Sequence, residues 1–366
     1  MAEAVRDAGD GFGILRILAA LMVIFSHAFP LSGLPEPAWS KGSVEISFGS
    51  TGVDIFFVIS GYLVFASWLR DPSRWRFAAR RVSRIWPGLV VMLLLTTLVM
   101  GPAVSTLSPV RFLSDPGTGA YLVGNIFLLP VGSLPGVFQA SPYHTVNGSL
   151  WTLPIEVSAY AGILLAGHFL RARGWRAFTY TMAGLIAALV LAGLGLAALG
   201  RPISAVFAVF AILFGWLNQP FFLFFFFGCL LYAGRDRIPL RWPIFGAAMA
   251  GIVGALLIGV MAPVFPLLAY AVVFLSTRRS PFWHRVTAFG DPSYGTYIYA
   301  FPIQQLLVFT HLAHNSSVLF AEASLLSIAV GYLSWHLVES RALTFTRRVL
   351  RRRSSPETNV PSAAAA

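Results

Sequence analysis

Four ionisable side chains interrupt stretches that are otherwise apolar: Arg16 and His27 in LRILAALMVIFSHAF, Asp54 in GVDIFFVISGYL, and Glu156 in SLWTLPIE. A charged side chain near the middle of a bilayer costs about 2.5–3.5 kcal/mol on insertion scales, so residues of this kind are candidates for chemistry. Their types suit proton transfer. An imidazole has the intrinsic pKa of a general base near neutrality, and a carboxylate can hold its tautomer and stabilise the imidazolium. The roles can also be reversed, with Glu156 as the base and His27 positioning an acceptor hydroxyl. Ser26 and Ser60 are the nucleophiles that a covalent route would need. Arg16 and His27 are eleven residues apart, about three helical turns, so they share a face and differ in depth by about 16 Å. Asp54 and Glu156 both stand near the start of an apolar run entered from the side on which the first run ends. The spacing therefore predicts that His27, Glu156 and Asp54 meet at similar depth, with Arg16 below them.

Membrane spans must position these groups. Hydrophobic residues make up 57% of the 366 and charged residues 11%, less than half the share of about 25% in soluble domains. No soluble core of this length hides so much apolar surface. Apolar runs fall at 14–29, 53–69, 86–106, 150–170, 178–199, 219–233, 244–260, 263–276, 294–311 and 318–338, each near or modestly below the ~20 residues that cross the hydrocarbon. The net charge of +12 does not mark a nucleic-acid binder, because the arginines sit in short clusters between apolar runs. With ten spans and both termini cytoplasmic, the inner segments hold every cation except Lys41, Arg111, Arg201 and the intramembrane Arg16. Counting the short run 121–134 as a further span would place three basic clusters outside. The predicted fold is thus an all-α, polytopic bundle of about ten spans, one membrane domain over 1–340. A basic, then disordered, cytoplasmic tail follows over 341–366. Residues 107–149 become a long outer segment, with 121–134 as a possible re-entrant hairpin, and long ordered loops tend to be functional. The single cysteine, Cys229, has no partner for a disulfide. No metal-ligand spacing or phosphate-binding glycine loop occurs.

At these residues the chain resembles the acyltransferase-3 family, membrane enzymes that acylate mainly carbohydrates. The likeness rests on Arg16 and His27 with ten residues between them, GVDIFFVISGYL at Gly52–Leu63, RRVSRIWP at Arg80–Pro87 and SLWTLPIE at Ser149–Glu156, and it covers roughly residues 12–340. It implies an acyl-CoA donor, commonly acetyl-CoA, no metal, and catalysis that relies on the histidine of the first span, His27. The implied activity is O-acyl transfer, in the first instance O-acetylation, onto a hydroxyl of a polysaccharide, lipopolysaccharide or other glycoconjugate, in a bacterial cytoplasmic (inner) membrane.

Coenzyme A carries several phosphate charges, which suit guanidinium forks. Arg80, Arg81 and Arg84 recur at the mouth of the third span, and Arg16 lies at a comparable level, so these four are the candidate donor-binding residues. On the acceptor side the candidates are Asp54, Ser60, Tyr62, Trp151 and Asn147. Gly61 reads instead as a site of close helix approach. The rival reading is a secondary transporter or flippase using Arg, His and Glu for proton coupling, which predicts broken helices in two corresponding halves. Here the key charges crowd into the first 160 residues, which favours an enzyme.

Overall fold

The computed structural model describes residues 11–42, 44–170, 180, 184 and 221–352. The helices are α1 (Gly11–Leu31), α2 (Phe48–Arg70), α3 (Arg74–Leu95), α4 (Pro109–Ser114), α5 (Pro116–Ile126), α6 (Thr152–Leu170), α7 (Phe221–Ala233), α8 (Trp242–Ile258), α9 (Val264–Ser276), α10 (Pro281–Ala288), α11 (Ser293–Phe309), α12 (Ser316–Ser334) and α13 (Ser340–Arg352). One antiparallel hairpin, β1 (Ala38–Lys41) with β2 (Val44–Ser47), joins α1 to α2. Among the described residues, four helical stretches are long and apolar enough to cross a membrane: Gly11–Leu31, Phe48–Arg70, Arg74–Val104 and Ser316–Arg351. The predicted runs at 53–69, 86–106, 150–170, 219–233, 244–260, 263–276, 294–311 and 318–338 each fall on or largely within helix. The predicted span at 178–199 and the apolar run at 203–217 lie outside the described residues, apart from Tyr180 and Gly184.

Serine chemistry starts α2 sharply. Ser47 Oγ accepts from the Ser50 backbone N–H at 3.1 Å, and Ser50 Oγ accepts from that of Ser47 at 2.9 Å, a reciprocal cap. Small residues then let helices touch. A Cβ on Gly61 would overlap the Phe225 carbonyl oxygen, and one on Gly228 would overlap that of Val58, so α2 and α7 pack backbone to backbone. Phe57 stacks on Phe221 at 5.2 Å and Tyr62 meets Tyr232 edge-on at 5.1 Å. The paired numbers rise together, so these two helices run parallel. Gly167 of α6 lies against the Trp68 indole, and α6 runs that way too. The N-terminal ends of α1 and α11 and the Arg81–Arg84 turn of α3 lie toward the end at which α2 and α6 finish, where Phe12 stacks on Tyr62 and Phe77 meets Trp68, and ion pairs described below hold them together.

Among the described residues, two helices carry a single π turn, at Thr96–Met100 and at Trp335–Glu339, and α12 runs through the second into α13. Such turns widen a helix locally and often mark functional places. Residues 341–352, read from sequence as tail, thus extend a helix, and the remainder of the tail lies outside the described residues.

The segment between α3 and α6 carries two short helices, α4 and α5, and packs against the bundle. Trp86 Nε1 donates to the Ile126 carbonyl at 3.0 Å, drawing α5 onto α3. Asn125 is buried and ties the following turn to itself through Val131. Residues 141–149 then enter the bundle. Gln305 of α11 donates to the carbonyls of Tyr143 and Thr145 at 2.8 and 2.6 Å, and Asn147 donates to that of Ile298 at 2.8 Å. As a result α6 begins inside the protein, where Thr152 Oγ1 meets the Tyr297 hydroxyl at 2.8 Å.

Candidate active site

Arg16 of α1, Ser60 of α2, Arg81 and Arg84 of α3, Glu156 and Tyr160 of α6, and Tyr294 and Tyr297 of α11 line one cavity of about 100 Å³. Arg81 and Arg84 are three residues apart and so face the same side of α3. Gly88, one turn further, leaves room for the Tyr294 ring, whose hydroxyl donates to the Ile85 carbonyl at 2.8 Å. Glu156 accepts from the Tyr160 hydroxyl, one turn along α6, and from Ser60 Oγ at 3.3 Å.

The arginines are buried, with 7 to 9% of each residue exposed, and their partners differ. Arg16 Nη2 and Arg84 Nη2 share one oxygen, Asp291 Oδ2, at 3.2 and 2.9 Å. Arg84 Nη1 also reaches Glu339 Oε2 at 3.2 Å. Ser334 Oγ donates to the other oxygen of Glu339 at 3.0 Å, and Ser293 Oγ to the other oxygen of Asp291 at 2.5 Å. Burial works to raise the Asp291 carboxyl. The charges of Arg16 and Arg84, with Ser293, outweigh it and hold the group down at about 2. Arg81 makes no such pair among the described residues. Its guanidinium lies over the rings of Phe77 and Tyr160, at 5.8 and 5.6 Å.

The remaining sequence candidates sit elsewhere. His27 lies outside the cavity lining. Its ring meets Phe301 edge-on at 5.0 Å, and its Nδ1 is buried with no hydrogen-bond partner among the described residues. The adjacent Ser26 donates to the Glu36 carboxylate and accepts from the Gly49 N–H at 2.9 Å. The expected meeting of His27 with Glu156 is therefore not formed: Glu156 stands at the level of Arg16 and the α3 arginines. The reason is the inward course of residues 141–149, which starts α6 deep in the bundle, whereas the spacing argument placed its start at the membrane surface. Arg80 turns away to Asp71 in the loop before α3, at 2.6 Å, with Arg76 on the same carboxylate at 2.9 Å. Burial works to raise the Asp71 carboxyl, but Arg80 and Arg76 hold it below the usual carboxylate range. Asp54 is buried, and its Oδ1 has no partner among the described residues. Tyr62 is packed between Phe12 and Tyr232. Asn147 has both ends of its amide engaged, by Ile298 and by the Ser149 N–H. Trp151 is 38% exposed and leans on Phe221.

Sequence reasoning did not single out Asp291, Glu339 or Tyr160. Asp291 stands in GDPSYG, an ordinary turn sequence, and Glu339 directly follows an apolar run beside Arg341, where it looks interfacial. No group of three His, Cys, Asp or Glu side chains that could hold a metal ion occurs among the described residues.

The family model described as an acyltransferase domain matches residues 10–336. This chain belongs to the acyltransferase-3 family. It is 32% identical to a protein of Shigella phage Sf6 named O-acetyl transferase over 362 residues, covering 94% of this chain and 97% of that one. It is 26% identical to nodulation protein 10 of Rhizobium leguminosarum bv. viciae, over 94% of this chain and 96% of that one. A shorter match, 34% over 157 residues, joins it to the exopolysaccharide production protein ExoZ of Rhizobium meliloti, covering 43% and 45% of the two chains. No solved structure matches. Family and relatives together support an O-acyltransferase, and the long apolar helices an integral membrane protein.

Proposed function

We propose that the protein is a membrane O-acetyltransferase that takes the acetyl group from acetyl-CoA at the arginine end of the bundle and delivers it to a carbohydrate hydroxyl on the opposite side of the bacterial inner membrane. The observation that carries the donor reading is Arg81, a buried guanidinium without a carboxylate partner among the described residues, facing a cavity in an acyltransferase-3 protein. A phosphate of the donor would complete it. The name of the phage relative supports acetyl transfer, and that of the exopolysaccharide protein supports a carbohydrate acceptor. The rise from Arg16 to His27 is about 16 Å on an ideal helix, a distance comparable with an extended pantetheine arm.

In this reading His27 removes the acceptor's hydroxyl proton while the oxygen attacks the thioester carbonyl. The carbon–sulfur bond breaks, and the departing thiolate takes the proton back from the imidazolium. Glu156 is the rival base, favoured by one observation: it lines the cavity with Ser60 and Tyr160, and His27 does not. Purified protein given acetyl-CoA and bacterial glycans, with products read by mass spectrometry, tests both. His27→Ala should abolish transfer while Glu156→Gln retains at least a tenth of it. The opposite pattern assigns the base to Glu156, and undiminished turnover in both variants removes the catalytic reading. In sealed, oriented vesicles, acetylation confined to acceptor supplied on the acetyl-CoA side would refute transfer across the membrane.

A further inference from the structure

Three guanidiniums converge on the cavity, yet their surroundings make them unequal. Arg16 and Arg84 are joined through one oxygen of Asp291, and Arg84 is held a second time by Glu339. These links tie α1, α3, the turn before α11 and the π turn after α12 to one another. Both carboxylates are themselves oriented by serines, Ser293 and Ser334. Arg81 is more than nine-tenths buried and has no hydrogen bond or ion pair among the described residues. Its Nε is among the buried nitrogens left without a partner. Glu156 shares the cavity but accepts from Tyr160 and Ser60, and no ion pair joins it to Arg81. An uncompensated buried charge is costly, and two aromatic rings offset only part of that cost.

We propose that Asp291 and Glu339 are positioning residues that sort the cavity arginines, fastening Arg16 and Arg84 into the helix bundle and leaving Arg81 as the fork that receives a phosphate-bearing anion. The proposal deepens the donor reading above by saying which arginine binds and what prevents the others from doing so. Its physical content is a charge balance. Arg16, Arg81 and Arg84 face Asp291, Glu339 and Glu156, so the cavity as a whole attracts anions only weakly, and selectivity falls to one fork at one place. Removing the Asp291 charge frees Arg16 of its ion pair, leaving only its Nε bond to the Phe12 carbonyl, and frees Arg84 in part. The cavity then becomes an indiscriminate anion site. The sign matters, because simple disruption of the site would weaken anion binding, whereas loss of the sorting carboxylate strengthens it.

The test uses the full-length protein in lipid nanodiscs, with pyrophosphate as the probe in calorimetric titrations at pH 7 and fixed ionic strength. The wild-type protein should bind pyrophosphate, and Arg81→Ala should weaken that binding at least tenfold without lowering thermal stability, since Arg81 has no ion pair to lose. Asp291→Asn should bind at least threefold more tightly than wild type. The double variant Arg81→Ala with Asp291→Asn should regain binding to within about threefold of wild type, through the freed Arg16 and Arg84. In acetyl transfer, Arg81→Ala should raise KM for acetyl-CoA, and Asp291→Asn should lower kcat while sharpening inhibition by pyrophosphate. Unchanged affinity in Arg81→Ala, or unchanged or weaker affinity in a folded Asp291→Asn, overturns the sorting. Should Asp291→Asn fail to fold, Glu339→Gln, which releases one side of Arg84, takes its place and should bind pyrophosphate more tightly than wild type, unchanged or weaker affinity overturning the sorting. Because the probe is pyrophosphate, a protein that shows these affinities but transfers no acetyl group upholds the sorting and refutes the donor reading.

Discussion

The Arg84–Glu339 pair gives a stability prediction that can be worked from distances. The two groups lie 3.2 Å apart, and their side chains are 9% and 1% exposed. At an effective dielectric constant near 20 the Coulomb attraction is about 5 kcal/mol before desolvation is counted. Arg84→Met leaves Glu339 buried and unpaired, while Asp291 keeps Arg16, so the expected loss is about 4 kcal/mol. Glu339→Gln should cost less, about 2 kcal/mol, because Arg84 keeps Asp291 and the new amide can still accept from Ser334. The double variant leaves no unpaired carboxylate and should lose only about 2 kcal/mol, not the sum of about 6. The coupling energy is therefore about 4 kcal/mol. SDS-induced unfolding in mixed micelles of the four proteins measures it. Losses that add to within about 0.5 kcal/mol would refute the reasoning, since independent sites add and a shared buried pair does not.

Other consequences can be checked in the same preparations. Gly61→Val forces a side chain into the Phe225 carbonyl, so it should cost about 1–3 kcal/mol and, by displacing the adjacent Ser60 from Glu156, lower acetyl transfer at least tenfold. Asp291 is held at about 2 in the folded protein against ~3.9 in an unfolded chain. A depressed carboxyl contributes its stabilisation above the unfolded value and loses it as pH falls toward the folded one, so about 2 kcal/mol should disappear between pH 4 and pH 2. In Asp291→Asn, unfolding measured at pH 4 and pH 2 should show that component missing. Gln305→Leu removes the two hydrogen bonds that pin Tyr143 and Thr145 to α11, and limited proteolysis should then cut within 139–146 at least tenfold faster, with the rest of the protein still resistant.

Composition and periodicity were enough to place most helices. The runs at 53–69, 244–260 and 318–338 correspond to α2, α8 and α12, because burial in lipid or protein acts on each segment separately and writes itself into local hydropathy. The same local logic marked Arg16 and Glu156, the family resemblance added Arg81, Arg84 and Ser60, and all five line one cavity. Partner choice was not readable. Arg84 and Glu339 are 255 residues apart in the chain and Arg84 and Asp291 are 207. An acid in a turn, or at the end of an apolar run, carries no local sign of the cation it will meet. The depth of Glu156 was misjudged for a related reason. Hydropathy shows that α6 is apolar, but where it starts depends on Asn147 reaching the Ile298 carbonyl across 151 residues. Segment identity follows from each stretch's exchange with its surroundings, whereas the ion pairs and the level of each side chain follow from how separate helices dock.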